Sequence, residues 1–307
     1  MADKSAWEGV FVFPVTPMDA AGDALNLDSL ATHLDSLVEA GVHGVVPLGS
    51  TGEFAYLDAA ERGDVIRTSV EAVDGRAKVI AGASAITTRD AVAHAREAEE
   101  LGADAVLILL QSYFPLTDDA IVEHLRAITE AIDVPVFIYN NPYSSNHDIS
   151  AELFARLAEL PGIAGLKEST GGLDRLMEID RAVGDRFVIH CGWEHLALPM
   201  FSLGVRGWST ATANLVPRQC VEMYSLAVER GDIAAAREIH KRISPLAQYL
   251  LSVPLAPAVK EGLAHLGHDA GASRPPLTPL SPEQHQTLID LIDEARAEAP
   301  AAVGSRD

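Results

Sequence analysis

The sequence is poor in cysteine and lysine, and it contains no long hydrophobic run. Its two cysteines, Cys191 and Cys220, are too few for a disulfide framework and indicate a reducing compartment. No apolar stretch reaches the ~18 residues of a membrane-spanning helix, and residues 1–10 lack the basic-then-apolar pattern of a signal peptide. We therefore expect a cytoplasmic protein with no membrane partner.

Positive charge is scarce as well. The 23 lysines and arginines are outnumbered by 44 aspartates and glutamates, which gives a formal net charge of -21 at pH 7. This excess repels the phosphates of nucleic acid, so we expect no nucleic-acid partner. It also repels small anions, so a site for an anionic substrate needs local donors. Lysine is so rare that one inside an apolar segment is conspicuous: the lysines are Lys4, Lys78, Lys167, Lys241 and Lys260.

Short apolar runs alternate with amphipathic helical stretches along most of the chain. The runs are nearly continuous hydrophobic segments, which is typical of parallel strands covered by helices. An unbroken series of such units favours a closed (β/α)₈ TIM barrel of the α/β class over an open doubly wound sheet. The predicted strands span residues 9–16, 44–49, 78–84, 103–110, 135–141, 163–169, 187–192 and 206–211.

From about residue 216 the pattern predicts helices alone, over 216–231, 233–251, 255–267 and 281–299. The first would close the barrel, and the others would form a small C-terminal helical appendix. Residues 274–280, RPPLTPL, form a stiff connector because three prolines forbid a continuous helix. We predict a barrel over residues 1–230, a helical region over 231–307 and a frayed end over the last eight residues, 300–307.

Lys167 lies at the end of the sixth predicted strand, where barrel enzymes place their catalytic residues. Its neighbours Ile163 and Leu166 are apolar, and an ammonium group is costly to bury among them. A neutral lysine amine is a nucleophile toward carbonyl groups. The strand alone leaves two interpretations, a Schiff-base lysine or a lysine paired with Glu168 or another acid at the barrel mouth.

Two more strand ends carry polar groups. Tyr139 ends the fifth strand, where its phenol could transfer protons or merely reach solvent. The second strand runs into PLGSTGE, residues 47–53, where two glycines let N–H groups point at an anion and Ser50 and Thr51 add hydroxyls. A keto-acid carboxylate would fit this nest, although a simple turn or helix cap has the same composition. We expect Glu53 to accept hydrogen bonds from backbone donors.

In their order and spacing, these motifs resemble the dihydrodipicolinate synthase/N-acetylneuraminate lyase family. The resemblance covers about residues 8–295 and implies a class I, lysine Schiff-base lyase, an aldolase or dehydratase acting on pyruvate or a 2-keto-3-deoxy acid. It also implies that no cofactor and no metal are needed. The motifs are PVTP at 14–17, GSTGE at 49–53, YNNP at 139–142, GLKES at 165–169, TAN at 212–214 and RPPLTPL near the end.

The resemblance also implies roles for individual residues. Lys167 is the Schiff-base lysine, Tyr139 the catalytic tyrosine, and Ser50 and Thr51 the hydroxyl pair that binds the pyruvate carboxylate and links a proton relay. Tyr113, in the drifted motif QSYFP, takes the place of a second tyrosine donated across a tight dimer interface. The family's habit implies a homotetramer, a dimer of dimers, that binds pyruvate and an aldehyde.

Four further residues are candidates for the wall of the substrate cavity. Gly192, in CGWEH, matches a position whose backbone carbonyl faces the substrate. Ser144 stands where the synthases carry an arginine for the carboxylate of the second substrate, and serine cannot form that bidentate pair. Trp208 and Ser209, in RGWST, are candidates for the cavity wall, although Trp208 could equally be a packed barrel residue.

Several alternatives remain at this point. One is a genuine 4-hydroxy-tetrahydrodipicolinate (dihydrodipicolinate) synthase with a displaced arginine, and another is a non-catalytic barrel that binds keto acids. A metal site is not expected, since the spacing of Cys191, Glu194 and His195 is not a recognisable ligand pattern.

Overall fold

A computed structural model describes residues 4–297 of the chain. Eight parallel strands form a closed barrel in sequence order, with β1 paired to β8. This confirms the predicted TIM barrel, and every predicted strand is present but shorter than its apolar run. The strands are β1 Gly9–Val12, β2 Gly44–Val45, β3 Lys78–Gly82, β4 Ala105–Leu109, β5 Val136–Asn140, β6 Ile163–Glu168, β7 Val188–Cys191 and β8 Gly207–Thr210.

Helices follow the strands on the outside of the barrel and continue alone after β8. In the described residues, no helix is both long and apolar enough to cross a bilayer. The helices are α1 Leu27–Glu39, α2 Ala59–Val73, α3 Thr88–Glu100, α4 Asp118–Thr129, α5 Pro142–Ser145, α6 Ala151–Leu157, α7 Leu173–Val183, α8 Ala197–Ser202, α9 Pro217–Tyr224, α10 Ile233–Leu250, α11 Leu255–His265 and α12 Pro282–Arg296.

The helix boundaries follow local hydrogen-bonding groups. Asp58 and Glu61 form a capping box at the start of α2, and Ser281 and Gln284 form another at the start of α12. The predicted connector 274–280 lies between α11 and α12 and contains no helix. The division at residue 230 stays a prediction, and the predicted frayed end at 300–307 lies outside the described residues.

The loop after β2 shows why the strands are shorter than predicted. Residues 46–49 were expected to continue β2, but Leu48 adopts a positive φ of 60° and the chain leaves the ladder. The loop then lies against β3, where a Cβ atom on Gly82 would stand 2.0 Å from the Leu48 carbonyl oxygen. Apolar composition therefore predicted burial correctly, whereas the backbone turn determined where the strand ends.

Aromatic rings and a buried histidine fill the barrel interior. The His190 ring packs against Phe11 at 4.9 Å and Phe137 at 5.6 Å between centroids. Its Nε2 lies 2.7 Å from the Trp7 carbonyl oxygen and its Nδ1 2.9 Å from Ser209 Oγ. Burial lowers the pKa of His190 to about 4, against the hydrogen bond to Trp7 that raises it. The imidazole is therefore neutral at pH 7.

Candidate active site

A cavity of about 520 Å³ is lined by residues from the carboxyl ends of the strands. It brings together most of the predicted site residues, although they come from the ends of four strands, β2, β5, β6 and β7, and the segments that follow them. This is the end of the barrel at which active sites of this fold lie. The predicted residues in its wall are Ser50, Thr51, Tyr139, Ser144, Lys167 and Gly192.

Lys167 lies on the floor of this cavity with only 5% of its surface exposed. Its Nζ stands 3.5 Å from the ring centroid of Phe13 and 4.4 Å from that of Tyr139. The alternative pairing with Glu168 is wrong, since that carboxylate accepts hydrogen bonds from Asn140 Nδ2 at 3.0 Å and Thr170 N at 2.7 Å. Burial also raises the pKa of Glu168.

The sheet register explains the position of Lys167. In β6 it lies beside Tyr139 of β5 and His190 of β7. Two residues earlier, a Cβ on Gly165 would stand 2.5 Å from the Phe137 ring, so only glycine leaves room for that ring below the lysine. Gly192 is similarly constrained, because its Cβ would lie 2.8 Å from Lys167 Cγ and 2.0 Å from Ser169 Oγ.

Tyr139 is 6% exposed, and its hydroxyl has a neighbour that the sequence did not reveal. Asn141 Nδ2 donates to the Tyr139 hydroxyl oxygen at 2.9 Å and to Ser144 Oγ at 3.2 Å. A donor on the phenolic oxygen supports negative charge there and leaves the phenol's own proton free for another acceptor. The amide of Asn141 thus connects the predicted proton-transfer residue to Ser144.

The loop that carries Ser50 and Thr51 is a tight turn in which Gly52 N donates to Gly49 O at 3.1 Å and Glu53 N donates to Ser50 O at 3.2 Å. The N–H groups of Ser50 and Thr51 have no acceptor in the described part of the chain. Thr51 is 2% exposed and lines the cavity with Ser50. Two free N–H groups beside two hydroxyls form an arrangement that can bind a carboxylate.

Below this turn lies an ion pair that the sequence did not predict. Glu53 Oε1 is 2.6 Å from Lys260 Nζ, and the two side chains are 0% and 1% exposed. The second Glu53 oxygen accepts from the backbone N–H of Arg274 at 2.8 Å, in agreement with its expected backbone role. Lys260 also donates to the Ala272 carbonyl at 2.8 Å. The pair connects the turn after β2 to α11 and the connector that follows it.

Three predicted residues lie outside the cavity. Trp208 is 1% exposed and packs on Phe201 of α8 at 6.3 Å, so it faces the helix layer and not the site. Ser209 faces the barrel interior and is bonded to His190. Tyr113 is 87% exposed, and its ring contact in the described part of the chain is an edge-to-face one with Phe114. Alternation along β8 explains the first two positions, because neighbouring residues in a strand point to opposite faces.

Other residues that line the cavity were not predicted as site residues from the sequence. Glu194 is buried and fixes the turn after β8, accepting from Thr210 Oγ1, from Ala211 N at 2.7 Å and from Thr212 Oγ1 at 2.7 Å. No cluster of three or more His, Cys, Asp or Glu suited to a metal occurs in residues 4–297. The remaining unpredicted lining residues are Phe13, Asn141, Tyr143, Ser169, Trp193, Ala211, Leu250, Leu251, Val253 and Leu255.

The family model, the related sequences and the related structures all indicate the same protein family. The model of the Dihydrodipicolinate synthetase family matches residues 6–295. A 4-hydroxy-tetrahydrodipicolinate synthase of Pseudomonas aeruginosa is 40% identical over 282 residues, spanning 91% of this chain and 95% of the relative. The corresponding protein of Methanospirillum hungatei is 37% identical over 290 residues, spanning 93% and 98%. The crystal structure of dihydrodipicolinate synthase from Aquifex aeolicus has 32% identity and a TM-score of 0.90, covering 94% of this chain and 98% of that one.

Proposed function

The chain belongs to the dihydrodipicolinate synthetase family, and from this premise we propose that Lys167 forms a Schiff base with the keto carbon of pyruvate or a 2-keto-3-deoxy acid. The family membership confirms the predicted resemblance and the class of enzyme, a Schiff-base lyase. It argues against a non-catalytic keto-acid-binding barrel. The observation that supports Lys167 is its amine on the buried cavity floor, between two aromatic rings and in ion-pair contact with no carboxylate of residues 4–297.

The proposed reaction begins when Lys167 Nζ attacks C2 of the keto acid and the carbonyl oxygen leaves as water. The protonated imine that remains is an electron sink. In the cleavage direction the C3–C4 bond breaks, its electron pair moves toward the imine, and the C4 hydroxyl proton passes to Tyr139 as the Tyr139 proton moves toward Ser50, so that C4 leaves as an aldehyde. The enamine takes the proton back from this relay at C3, and water hydrolyses the imine to release pyruvate and Lys167. No resident cofactor takes part in these steps.

The remaining residues bind and orient. The free N–H groups and hydroxyls of Ser50 and Thr51 would hold the carboxylate of the keto acid. Gly192 brings its backbone to the substrate, because any Cβ there would collide with Lys167 and Ser169. Asn141 holds the Tyr139 hydroxyl and thereby orients the proton relay. Ser144 offers a neutral hydroxyl to the far end of the substrate.

We propose further that the active unit is a homotetramer, a dimer of dimers, in the cytoplasm. The support is at the surface: Tyr113 is 87% and Phe114 72% exposed, and two neighbouring aromatic side chains are costly to leave in water. In such an assembly Tyr113 would complete the relay of a neighbouring subunit. Sedimentation combined with the activity of Tyr113→Ala tests this, and full activity in a monomer would contradict it.

The second candidate is 4-hydroxy-tetrahydrodipicolinate synthase itself, which the names of the relatives favour. Its difficulty is the carboxylate of the second substrate. Within residues 4–297 no arginine lines the cavity. Arg175, which follows β6, is engaged by Asp148 at 3.2 Å and by the Ile149 carbonyl. The displaced arginine that this candidate requires therefore has no counterpart in the cavity wall.

The specificity constants for different second substrates distinguish the two candidate functions. Loss of the arginine that pairs with the substrate carboxylate costs ~2–5 kcal/mol, which lowers kcat/KM roughly 30- to 5000-fold. With pyruvate and aspartate semialdehyde we therefore expect kcat/KM well below the ordinary enzymatic range, and higher values for 2-keto acids with a neutral distal end. A semialdehyde value of ~10⁴ M⁻¹s⁻¹ or above would restore the synthase. Ser144→Arg should raise the semialdehyde value, which provides a matched gain-of-function check.

A further inference from the structure

The floor and the rim of the cavity differ in chemistry. On the floor, Lys167, Tyr139 and Thr51 are between 2% and 6% exposed and carry the groups of the proposed reaction. At the rim, Tyr143 is 71% exposed and Leu251 39%. The end of α10 and the start of α11 bring further apolar side chains to the wall: Leu250, Val253 and Leu255. A substrate anchored on Lys167 therefore extends toward an apolar mouth.

The rim also contains a pair of neighbouring aromatic rings. Tyr143 and Trp193 lie with ring centroids 5.4 Å apart and planes inclined by 40°. The Trp193 ring is packed from another direction by Gly171, where an added Cβ would come within 3.0 Å of it. The Tyr143 hydroxyl lies 3.5 Å from the Thr170 carbonyl oxygen. Rings held in this way offer an apolar surface at little cost in conformational entropy.

Charge is nearly absent from this wall. Among the lining residues in the described part of the chain, Lys167 is the only lysine or arginine and Glu194 the only acid. Lys167 is committed to the imine, and both Glu194 oxygens are occupied by donors of the turn after β8. A substrate with a second carboxylate would find no lysine or arginine to pair with at the rim and only neutral donors such as the Ser144 hydroxyl. A polyol would exchange several hydrogen bonds to water for contacts with leucine and tryptophan.

We infer that this rim is a subsite for the apolar, aromatic substituent of an aldehyde, so that the second substrate is an aromatic aldehyde or, in the reverse direction, the 4-aryl-4-hydroxy-2-keto acid made from it. This inference rests on the proposed function and narrows its second substrate. An aryl ring would stack beside Tyr143 and Trp193 and cover the leucine side chains. The hydroxyl of Ser144, whose oxygen accepts from Asn141 while its own proton stays free, is placed to contact a ring hydroxyl or the aldehyde oxygen.

The condensation balances without any further reactant. The imine of pyruvate loses a C3 proton to the Tyr139–Ser50 relay and becomes an enamine. Its C3 attacks the aldehyde carbon, the C3–C4 bond forms, and the π electron pair of the aldehyde moves to its oxygen. That oxygen takes the proton back from the relay, and water hydrolyses the imine to free Lys167. The product is a 4-hydroxy-2-keto acid that carries the aryl group at C4.

The test compares three aldehydes with the full-length protein at saturating pyruvate: benzaldehyde, glyceraldehyde and aspartate semialdehyde. We expect kcat/KM for benzaldehyde to exceed each of the others by ~10-fold or more, the usual discrimination of an apolar pocket. Leu251→Asn should lower the benzaldehyde value by ~10-fold. The matched control is Leu203→Asn, since Leu203 is similarly exposed at 45% but lies at the end of α8 outside the cavity. Trp193→Leu gives a second, independent removal of ring surface.

The outcomes separate this inference from the proposed function. If borohydride traps no pyruvate on the wild-type protein, the proposed function fails first. If the imine is trapped but glyceraldehyde or the semialdehyde reacts best, or no aldehyde reacts, the aromatic subsite is wrong while the Schiff base stands. Equal benzaldehyde constants for Leu251→Asn, Trp193→Leu and Leu203→Asn would also overturn it.

Discussion

Two buried lysines in this barrel have opposite surroundings. Lys260 on α11 is 2% exposed, and its ammonium is bonded to the Glu53 carboxylate at 2.6 Å and the Ala272 carbonyl at 2.8 Å. Lys167 on β6 is 5% exposed, and its Nζ faces the rings of Phe13 and Tyr139 at the floor of a cavity. Both residues are largely removed from bulk water, but of the two only Lys260 has an anionic partner among the residues that the structure describes.

This difference shows that burial alone does not make a lysine reactive. Burial lowers the pKa of Lys260, and the Glu53 carboxylate at hydrogen-bond distance opposes that shift by stabilising the ammonium ion, whose nitrogen has no free electron pair for a carbonyl. Lys167 has no such partner within residues 4–297, and its amine faces a cavity that can hold a substrate. Lys260 is therefore a structural cation beneath the Ser50–Thr51 turn, whereas Lys167 is suited to nucleophilic catalysis.

Replacing each of the two lysines separately should give the largest difference in turnover. Lys167→Ala should lower turnover by ~10⁴-fold or more, since no covalent intermediate can form. Lys260→Met should retain turnover per folded molecule within ~10-fold, because Lys260 does not reach the cavity. Steady-state rates on protein checked by circular dichroism measure both. Comparable losses in the two variants would remove the distinction.

Tyr139 provides a second test of the site around Lys167, because its ring lies next to the Lys167 amine and its hydroxyl belongs to the proposed proton relay. Tyr139→Phe keeps the ring but loses the hydroxyl, so imine formation should persist while turnover falls by ~10²–10⁴-fold. The matched control is Tyr224→Phe, a buried tyrosine of α9 outside the cavity. Near-normal turnover in Tyr139→Phe would exclude Tyr139 from the mechanism.

The role of Lys260 should appear in stability. Lys260→Met leaves the Glu53 carboxylate buried without its partner, which costs ~3–5 kcal/mol in the free energy of unfolding. The double variant Glu53→Gln/Lys260→Met removes both charges and should recover part of that loss. Urea denaturation of the two proteins measures the difference. If the double variant is as unstable as the single one, the ion pair does not account for the burial of Lys260.

A smaller effect concerns the histidine next to Lys167 in the sheet. Burial lowers the pKa of His190 to about 4, whereas an unfolded histidine has a pKa of about 6.5. Between these values the unfolded chain binds more protons, so stability is complete above pH 6.5 and is lost as the pH falls toward 4. The total contribution is ~3 kcal/mol, at 1.36 kcal/mol per unit of pKa.

His190→Asn should therefore reduce the slope of unfolding free energy against pH, by up to one proton between pH 6.5 and 4. His33 provides the matched reference, because burial lowers its pKa to about 4 as well, at a place between α1 and the turn after β8. The contribution of His33 to the pH dependence of the unfolding free energy should persist in the His190 variant. An unchanged slope in urea titrations at several pH values would show that His190 is not buried as a neutral ring.

Much of the fold and part of the candidate site could be predicted from the sequence. Apolar runs locate the strands, and because a barrel gathers their carboxyl ends, Lys167, Tyr139 and Ser50 were expected near one another. The position of Trp208 could also have been predicted. Side chains alternate along β8, so Trp208 points to the opposite face of the strand from Ser209, which faces the barrel interior. Reading that alternation from the sequence would have removed Trp208 from the candidate cavity wall.

Other features depend on contacts between distant segments. Nothing in the sequence around Glu53 or around Lys260 indicates that the two residues form an ion pair. Their contact follows from how α11 packs beneath the turn after β2. The leucines at the end of α10 have the spacing of an ordinary helix interior, yet they line the cavity. The bond from Asn141 to Tyr139 requires the chain direction after β5, which composition does not determine.

Borohydride reduction in the presence of pyruvate tests the assignment of Lys167 most directly. Proteolysis followed by peptide mass measurement would identify the lysine that carries the reduced pyruvyl group. We expect one adduct per chain, on Lys167, no adduct on Lys260, and no adduct at all in Lys167→Ala. An adduct that persists in Lys167→Ala, or one found on Lys260 of the folded wild-type protein, would contradict the distinction between the two buried lysines.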